Sequence, residues 1–502
     1  MRDAVVSTAQ GCAEQRDWRE LFRCRGVPLP VVEQMGWSRA LSMKKTTLIV
    51  VLLAMPAGFS TWAQDTRPVN EPAMPPVCVT LQAELTAPLT PADEVWLDTE
   101  RLQAAIDHCA PGNAVELKTE GDHNAFLSGS LEMRKGVTVW IDRGVTVYAS
   151  RDPKDFEVKP GSCGVWNDDA KRGCRSLFED ERANNSGVLG DGIVDGRGGA
   201  RLMSDGKETQ RSWWELAGDA AENSHVQAPQ LIATDHADDF TVYRVTLKNA
   251  PGAALDFEHG DGLTVWGILI DAPAEARNAG GVEINSAKNV MVTQSYLRSG
   301  GDIELQAAGG ETKNISLLHD HLYGGRGMAI GPETSGGVSA VLVRDVTEDA
   351  PENGLRITSH SGLVKDVTYE DVCIRKSAAP MELVSNNSQR GKAKGPVVDN
   401  IVMRRVRVYG GGKLQLLGMD ASHRIGIQFD GVLLDDPDGN YAFAANHADM
   451  TLGPGPVNFK PVGEDSSLRG LQGSDAAPDA CDAKFVPYPS DMTPTQTQEV
   501  TR

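Results

Sequence analysis

No block of lysine and arginine residues occurs anywhere in the sequence. Lys and Arg total 49 against 69 Asp and Glu, which gives a formal net charge of −20. Because phosphate binding requires a concentrated basic face, we expect no nucleic-acid partner. Of the 502 residues, 40% are hydrophobic, which is enough for a large core and excludes a disordered or fibrous chain.

Long hydrophobic runs are also absent, with one exception between residues 46 and 63. A basic start at Met43 to Lys45, an interruption at Pro56 and small residues near Ala63 predict a signal peptide over residues 43–63. An uncleaved anchor is the alternative, although the run barely approaches the ~20 residues of a spanning helix. Residues 1–42 are interpreted as an over-extended start. We therefore expect an exported monomer, periplasmic or extracellular, with no membrane attachment after signal removal.

Cysteines with C-x-x-C spacing are missing, which argues against a structural zinc site. Export leaves an even number of cysteines in an oxidising compartment, which predicts disulfides. Cys163 and Cys174 bracket a loop of Gly, Asn and Asp and are the first expected pair, and Cys78 with Cys109 is the second.

Two histidines, His319 and His321, flank Asp320 on one predicted strand. Without a third ligand, histidines two positions apart are more typical of a polar outward face than of a metal site. We therefore expect no metal and no cofactor.

From about residue 240 the sequence repeats a pattern in which apolar and polar residues alternate, as in Asn289–Leu297. Such alternation predicts strands with one buried face. The pattern recurs at intervals of 23, 27, 25, 26, 26, 34 and 24 residues, which is typical of a solenoid. The repeats start at Phe240, Leu263, Val290, Ile315, Val341, Val367, Ile401 and Ile425. Since the leucine-rich-repeat pattern is absent, the sequence predicts an all-β fold, a single-stranded parallel β-helix.

The two ends of the predicted solenoid differ from its middle. Asp98–Cys109 has helical periodicity, with Leu102 and Ile106 on the apolar face, and predicts a helix that caps the open N-terminal end. The tail from about Pro461 is rich in Ser, Asp, Pro, Thr and Gln, which predicts an irregular wrap or a disordered segment. We therefore expect a β-helix domain over residues 65–460 and an irregular tail over residues 461–502.

Several phrases in these coils resemble glycoside hydrolase family 28, the polygalacturonases and their relatives. The resemblance runs from the Asp98–Cys109 helix through Gly190–Gly196 and Trp213-Trp214 to Ala379–Met381. It implies a right-handed parallel β-helix, in agreement with the repeat. It also implies hydrolysis of a pectic, galacturonan-type polysaccharide.

The resemblance further implies where catalytic carboxyl groups belong, and these positions are altered. The Asn-Thr-Asp motif of the family falls on Asn278–Gly280, and its Gly-Asp-Asp motif falls on Gly300–Asp302. The general acid position is therefore Gly301 and the base position is Gly280. An inverting glycosidase needs two carboxyl groups about 6.5–9.5 Å apart, and glycine supplies neither. Ordinary polygalacturonase chemistry is expected to be weakened or absent.

Three carboxyl groups remain as catalytic candidates. Asp302 survives from the Gly-Asp-Asp motif, but one deleted residue nearby would move it to a non-catalytic position. Glu283 and Glu304 lie 21 residues apart, at equivalent outward places of successive coils. Stacked at ~5 Å, they would raise one another's pKa, as an acid–nucleophile or acid–base pair requires. The competing interpretation is an ordinary solvated strand face.

Candidate substrate-binding residues come from the same motifs. The Gly-His-Gly motif falls on Gly325–Gly327, so Arg326 stands in the histidine position, and the Arg-Ile-Lys motif begins at Arg356. A guanidinium does not shuttle protons near neutral pH, but it binds carboxylates with two hydrogen bonds. Together with Asn278, the two arginines suit the uronates of a pectic chain. The alternative interpretation is that Arg326 only neutralises Asp302 or a nearby glutamate.

Two classes of function follow from these residues. The first is a secreted glycoside hydrolase of the polygalacturonase family with altered catalysis. The alternative is a catalytically inactive β-helix that binds acidic glycans through its arginines. A lyase or epimerase is a third possibility, but no residue pattern marks the base or the Ca²⁺ site that it would need.

Overall fold

The structure is a computed structural model that describes residues 64–167, 172–218, 225–276, 278–386, 395–471, 473, 477 and 480–491. The expected signal peptide at 43–63 and the expected over-extended start at 1–42 lie outside these residues. Within the described ranges, no helix is long and apolar enough to cross a bilayer.

Most of the described chain winds into coils whose strands form three stacked series. Eleven strands form what we call the cleft sheet, in which each strand pairs in parallel with the one above it. In chain order its strands are Leu131–Glu132, Phe178–Glu181, Ile232–Asp235, Leu255–Glu258, Gly280–Asn285, Gly301–Gln306, Met328–Ile330, Asn353–Ser359, Ala379–Ser385, Gly412–Leu417 and Tyr441–Asn446.

The other two series join in one 23-stranded sheet. The second series comprises Val77–Gln82, Asn113–Lys118, Val137–Ile141, Gly187–Leu189, Phe240–Tyr243, Asp261–Trp266, Lys288–Thr293, Thr312–Leu318, Val338–Arg344, Leu363–Glu370, Val397–Tyr409, Ile425–Leu434, Ala448–Leu452 and Ser467–Arg469. The third series comprises Ala125–Ser128, Thr146–Ala149, Ile193–Asp195, Thr246–Lys248, Leu269–Asp271, Tyr296–Arg298, His321–Tyr323, Thr347–Asp349 and Cys373–Arg375. The predicted all-β, right-handed parallel β-helix is confirmed.

The predicted repeat matches the strand register. Leu263 pairs with Val290, which pairs with Ile315, and all three side chains are fully buried. Asn289 and Asn314 adopt left-handed backbone conformations just before the buried positions, and the Asn314 amide donates to Asn289 Oδ1 at 3.1 Å. Asparagine tolerates this conformation. The hydrogen bond between the stacked amides helps to keep the turns at the same position in successive coils.

The remaining elements lie at the ends and between coils. They are the helices Thr99–His108 and Trp213–Gly218, the 3₁₀ turns Asp93–Val95, Pro153–Phe156 and Pro489–Asp491, and the short strands Trp166–Asn167, Arg201–Ser204, Lys207–Ser212 and His225–Val226. The Thr99–His108 helix buries Leu102 and Ile106 against the first coils, as predicted for a cap. Ser467–Arg469 still pairs with the preceding coil, so the stack continues beyond the expected boundary at residue 460.

In the described part of the chain, three disulfide bonds link cysteines that are distant in sequence or bracket a loop. Cys163–Cys174 and Cys78–Cys109 form as predicted. A third bond, Cys373–Cys481, ties the C-terminal tail to the coils. Three disulfides agree with an exported protein, because they persist in oxidising compartments.

Candidate functional site

One row of side chains on the outward face of the cleft sheet carries three of the six sequence candidates, Glu283, Glu304 and Arg356. Asp256 pairs in register with Glu283, and Glu283 pairs with Glu304. The row continues through Ala329 to Arg356. Because adjacent strands lie about 4.8 Å apart, three carboxyl groups stand next to one another, and Arg356 follows two strands beyond them.

Glu283 occupies space that the glycine at position 280 leaves open. A Cβ atom built on Gly280 would overlap Glu283 Oε1, whereas Gly301 pairs with Gly280 and meets only the Gly280 Cα at 3.8 Å. The missing side chains therefore create a depression into which the Glu283 carboxyl turns. The end of this glutamate lies where the side chain of the family's aspartate would begin.

The electrostatics of this row favour a protonated carboxyl group at its centre. Burial, with the neighbouring carboxylates of Asp256 and Glu304, raises the pKa of Glu283 to about 8, and the nearby Arg326 partly opposes the rise. Burial, with Glu258, raises the pKa of Asp256 to about 7, although Arg172 contacts Asp256 at 3.2 Å. Coupled carboxyl groups that share one patch cannot all ionise near neutral pH.

Asp302 does not join this cluster. Its side chain is only 2% exposed, and Oδ2 accepts a hydrogen bond from the Gly327 N–H at 3.0 Å. Gly325 covers the carboxyl group so closely that a Cβ there would contact both oxygens. Burial, with Glu348 as its charged neighbour, raises the pKa of Asp302 well above the usual range. The expected grouping of Asp302 with Glu283 and Glu304 is therefore not what the structure shows, because the Gly325–Gly327 loop encloses the aspartate.

Gly281 stands opposite Asp302, as the register on either side requires. Asp302 follows Gly301 on the strand, and Ile303 pairs with Val282. This register relates the strands of this chain to one another, and both alignments of Asp302 with the family motif stay open.

Arg326 lines an open cavity of about 880 Å³. Lys376 also lines the cavity, and so do Glu275 and Glu352. The cavity walls come from the turns that enter the cleft strands, as expected for loops that carry function on a rigid scaffold. Arg326 is near enough to Glu283 to oppose the rise of its pKa, which links the cavity to the carboxyl row.

The other two predicted binding residues lie at the end of the row and in a turn beside it. Arg356, two strands beyond Glu304, is half-buried, and its Nε has no hydrogen-bond partner among the described residues. Asn278 is half-buried in the turn before Gly280, and its carbonyl accepts from the Gly280 N–H at 2.9 Å.

Sequence reasoning missed Asp256 as a member of the site. It lies one coil before Glu283, 27 residues earlier, so the repeat period itself was the available signal. His319 and His321 have separate partners, Asp345 at 2.8 Å and Thr347 at 2.7 Å, and Asp320 between them is fully buried.

Comparison with known proteins identifies relatives of this chain in sequence and in fold. Residues 125–450 match the family described as Glycosyl hydrolases family 28. A polygalacturonase of Ralstonia nicotianae is 32% identical over 496 residues, which cover 85% of this chain and 93% of that protein. An endo-polygalacturonase of Pectobacterium parmentieri is 36% identical over 382 residues, covering 75% and 91%. The solved polygalacturonase from Erwinia carotovora ssp. carotovora superimposes with a TM-score of 0.69 at 33% identity, covering 77% of this chain and 100% of that one.

The family match, the curated relatives and the solved neighbour together place this parallel β-helix in the class of glycoside hydrolases. The family match covers more than half of the chain, and the relatives align over most of their own length. The chain belongs to glycosyl hydrolases family 28.

Proposed function

We propose that this protein hydrolyses the glycosidic bonds of a pectic, galacturonan-type polysaccharide, using Glu283 and Glu304 in place of the family's aspartates. The observation that carries the proposal is the position of the Glu283 carboxyl, which fills the space beside Gly280. The relatives named polygalacturonase support the substrate class. They also disfavour the alternative of an inactive glycan-binding protein.

Glu283 is the proposed general acid. A leaving oxygen must receive a proton, and a carboxyl with a pKa of about 8 is protonated near neutral pH. Glu304, its register partner, is the proposed base that removes a proton from water as the water oxygen bonds to the anomeric carbon and the bond to the leaving oxygen breaks. Neighbouring strands place the two residues side by side, about 4.8 Å apart at the backbone.

Asp302 is proposed as a positioning residue. Its hydrogen bond to the Gly327 N–H holds the Gly325–Gly327 loop against the strand and thereby places Arg326 at the cavity. Arg326, Arg356 and Asn278 are the proposed contacts to substrate. Guanidinium groups bind uronate carboxylates through paired hydrogen bonds, which offsets the repulsion expected from the acidic row.

We further propose that the protein is exported to the periplasm or beyond and that it acts as a monomer. The three disulfides support export. A polymeric substrate in a plant cell wall also requires an enzyme outside the cytoplasm.

The proposal is tested by the release of reducing ends from polygalacturonate, rhamnogalacturonan and xylogalacturonan by the purified protein. We expect release from at least one of them, and a loss of about 10²–10⁴ in rate for Glu283→Gln and for Glu304→Gln. Glu311→Gln is the matched control, because Glu311 lies off the cleft sheet and its side chain is 41% exposed. Absence of release from every substrate, with tight binding of oligogalacturonides in a titration, would instead support the glycan-binding alternative.

A further inference from the structure

A second cluster of polar side chains lies at the edge of the cleft sheet, outside the proposed catalytic row. Asp235 ends the strand Ile232–Asp235, and His236 follows it. His259 follows the next strand, 23 residues later, which is one coil of the solenoid. Both histidines have left-handed backbones, with φ of 56° and 55°, so they occupy the same turn position in successive coils.

The three side chains converge on one oxygen. His236 Nδ1 lies 2.7 Å and His259 Nδ1 lies 2.8 Å from Asp235 Oδ1. The imidazole rings stack with centroids 4.8 Å apart and an interplanar angle of 19°. One oxygen and two ring nitrogens therefore face one another within 4.8 Å.

The surroundings of the cluster also favour a cation. Asp235 pairs in register with Glu181 on one side and Glu258 on the other, so three carboxyl groups stack along this edge. Like charges directly opposite one another in a sheet are destabilising. In the described part of the chain, no lysine or arginine forms an ion pair with any of these three, and the ion-pair partners of Asp235 are the two histidines.

We propose that Asp235, His236 and His259 bind a divalent transition-metal ion of the Zn²⁺ type. Imidazole nitrogens with a carboxylate oxygen suit Zn²⁺, whereas Ca²⁺ and Mg²⁺ prefer oxygen alone. Tetrahedral bonds of about 2.0–2.1 Å place ligand atoms about 3.3 Å apart, so the two nitrogen–oxygen separations of 2.7 and 2.8 Å need to open by about 0.5 Å. The two nitrogens lie within 4.8 Å of each other, so small rotations of the imidazole rings set their separation. All three side chains are at least a third exposed, which leaves room for that adjustment and for water as the fourth ligand.

The site is independent of the hydrolytic proposal, because it uses none of the same residues. Its nearest link to the catalytic row is Glu258, which pairs with Asp235 and stands two positions after Asp256 on the same strand. A bound ion would place positive charge at this end of an otherwise acidic row. Metal binding can therefore be measured in a catalytically impaired variant without reference to turnover.

The test is a Zn²⁺ titration of the full chain without a histidine tag, by calorimetry and by competition with a chromophoric chelator. We expect one equivalent to bind at micromolar Kd or tighter, unchanged in Glu283→Gln, and at least ten-fold weaker in His236→Gln and in His259→Gln. His319→Gln is the matched control, since His319 is an exposed histidine paired with Asp345, whose carboxylate is also bound by Lys484. Calcium at millimolar concentration is expected not to displace the ion.

Two results would overturn the assignment. One is a wild-type protein that binds no Zn²⁺ beyond the level of the His236→Gln/His259→Gln double variant. The other is a Zn²⁺ affinity that falls as much in His319→Gln as in the two cluster variants. Circular dichroism of each variant checks that the coils remain folded.

Discussion

At the scale of single residues, the site is defined by what two glycines leave out. Gly280 and Gly301 remove side chains from facing positions of adjacent strands, and Glu283 turns its carboxyl into the space. The Glu283 carboxyl group thus lies beside position 280, three residues earlier on the same strand. A motif comparison detects the missing aspartate but not the glutamate three positions later. The reason is that the sequence does not specify the rotamer that brings the glutamate carboxyl to position 280.

The proposed protonation state of Glu283 predicts a pH dependence for hydrolysis. A general acid must carry its proton, so kcat/KM falls as pH rises through the Glu283 pKa of about 8. Since Arg326 holds that pKa down, Arg326→Gln should move the alkaline limb to higher pH and raise KM, while Arg326→Lys should retain the position of the limb. The profile is measured as kcat/KM between pH 4 and 10. An alkaline limb that stays in place in Arg326→Gln would count against Glu283 as the acid.

At the scale of elements, the C-terminal segment Cys481–Asp491 is an ordered strap across the third series. Tyr488 donates to the Ile270 carbonyl at 2.9 Å and lies 4.0 Å beneath the Arg298 guanidinium. Phe485 packs under Arg375 at 4.2 Å. The sequence predicted an irregular wrap or disorder here, and the described part is a wrap. Its anchors were visible as two aromatic residues and a cysteine in an otherwise polar tail.

The disulfide that anchors the strap and the disulfide Cys163–Cys174 are expected to contribute unequally to the free energy of unfolding. Cys373–Cys481 spans 108 residues and Cys163–Cys174 spans 11, and a longer loop loses more entropy in the unfolded chain when it is closed. Replacing the first pair by serine should lower the free energy of unfolding by about 4–5 kcal/mol, and replacing the second by about 3 kcal/mol. Denaturant titration of the two double variants gives the comparison. A larger loss from the shorter loop would contradict the expectation.

The strands and coils could be predicted from the sequence because the patterns that produce them are local and repeated. The alternation of apolar residues fixes which side chains point inward, and the period fixes which residues stack, so Glu283 and Glu304 were correctly placed side by side. Loops carry no such period. The enclosure of Asp302 by Gly325–Gly327 depends on a contact between successive coils that alternation does not specify.

At the scale of the whole molecule, the interior of the solenoid contains carboxyl groups as well as apolar side chains. Asp302, Asp320 and Glu348 are almost completely buried. Burial raises the pKa of all three, and that of Glu348 to about 8. The folded chain therefore retains protons that the unfolded chain loses at lower pH.

This proton balance predicts that the contribution of Glu348 to stability falls as pH rises. Glu348 ionises in the unfolded chain near its ordinary value of 4.5 but in the folded chain only near 8, so its contribution is fully present below 4.5 and is lost as pH rises toward 8. Across that range Glu348 contributes a loss on the order of a few kcal/mol. Thermal unfolding of Glu348→Gln should show a smaller drop in Tm between pH 5 and 8.5 than the wild type. Glu311→Gln, which changes a partly exposed carboxyl group, should match the wild type, and an equal drop in all three proteins would refute this account.

The central claim is that Glu283 performs chemistry for which position 280 has lost its carboxyl group. Reducing-end release from the best of the three pectic substrates, compared between wild type, Glu283→Gln and Glu283→Gln/Gly280→Asp, tests it most directly. The side chain added at position 280 has room, because the only group that it meets at close range is the flexible end of residue 283. We predict that the single variant loses most of the activity and that the double variant regains part of it. Wild-type rates in Glu283→Gln would contradict the claim.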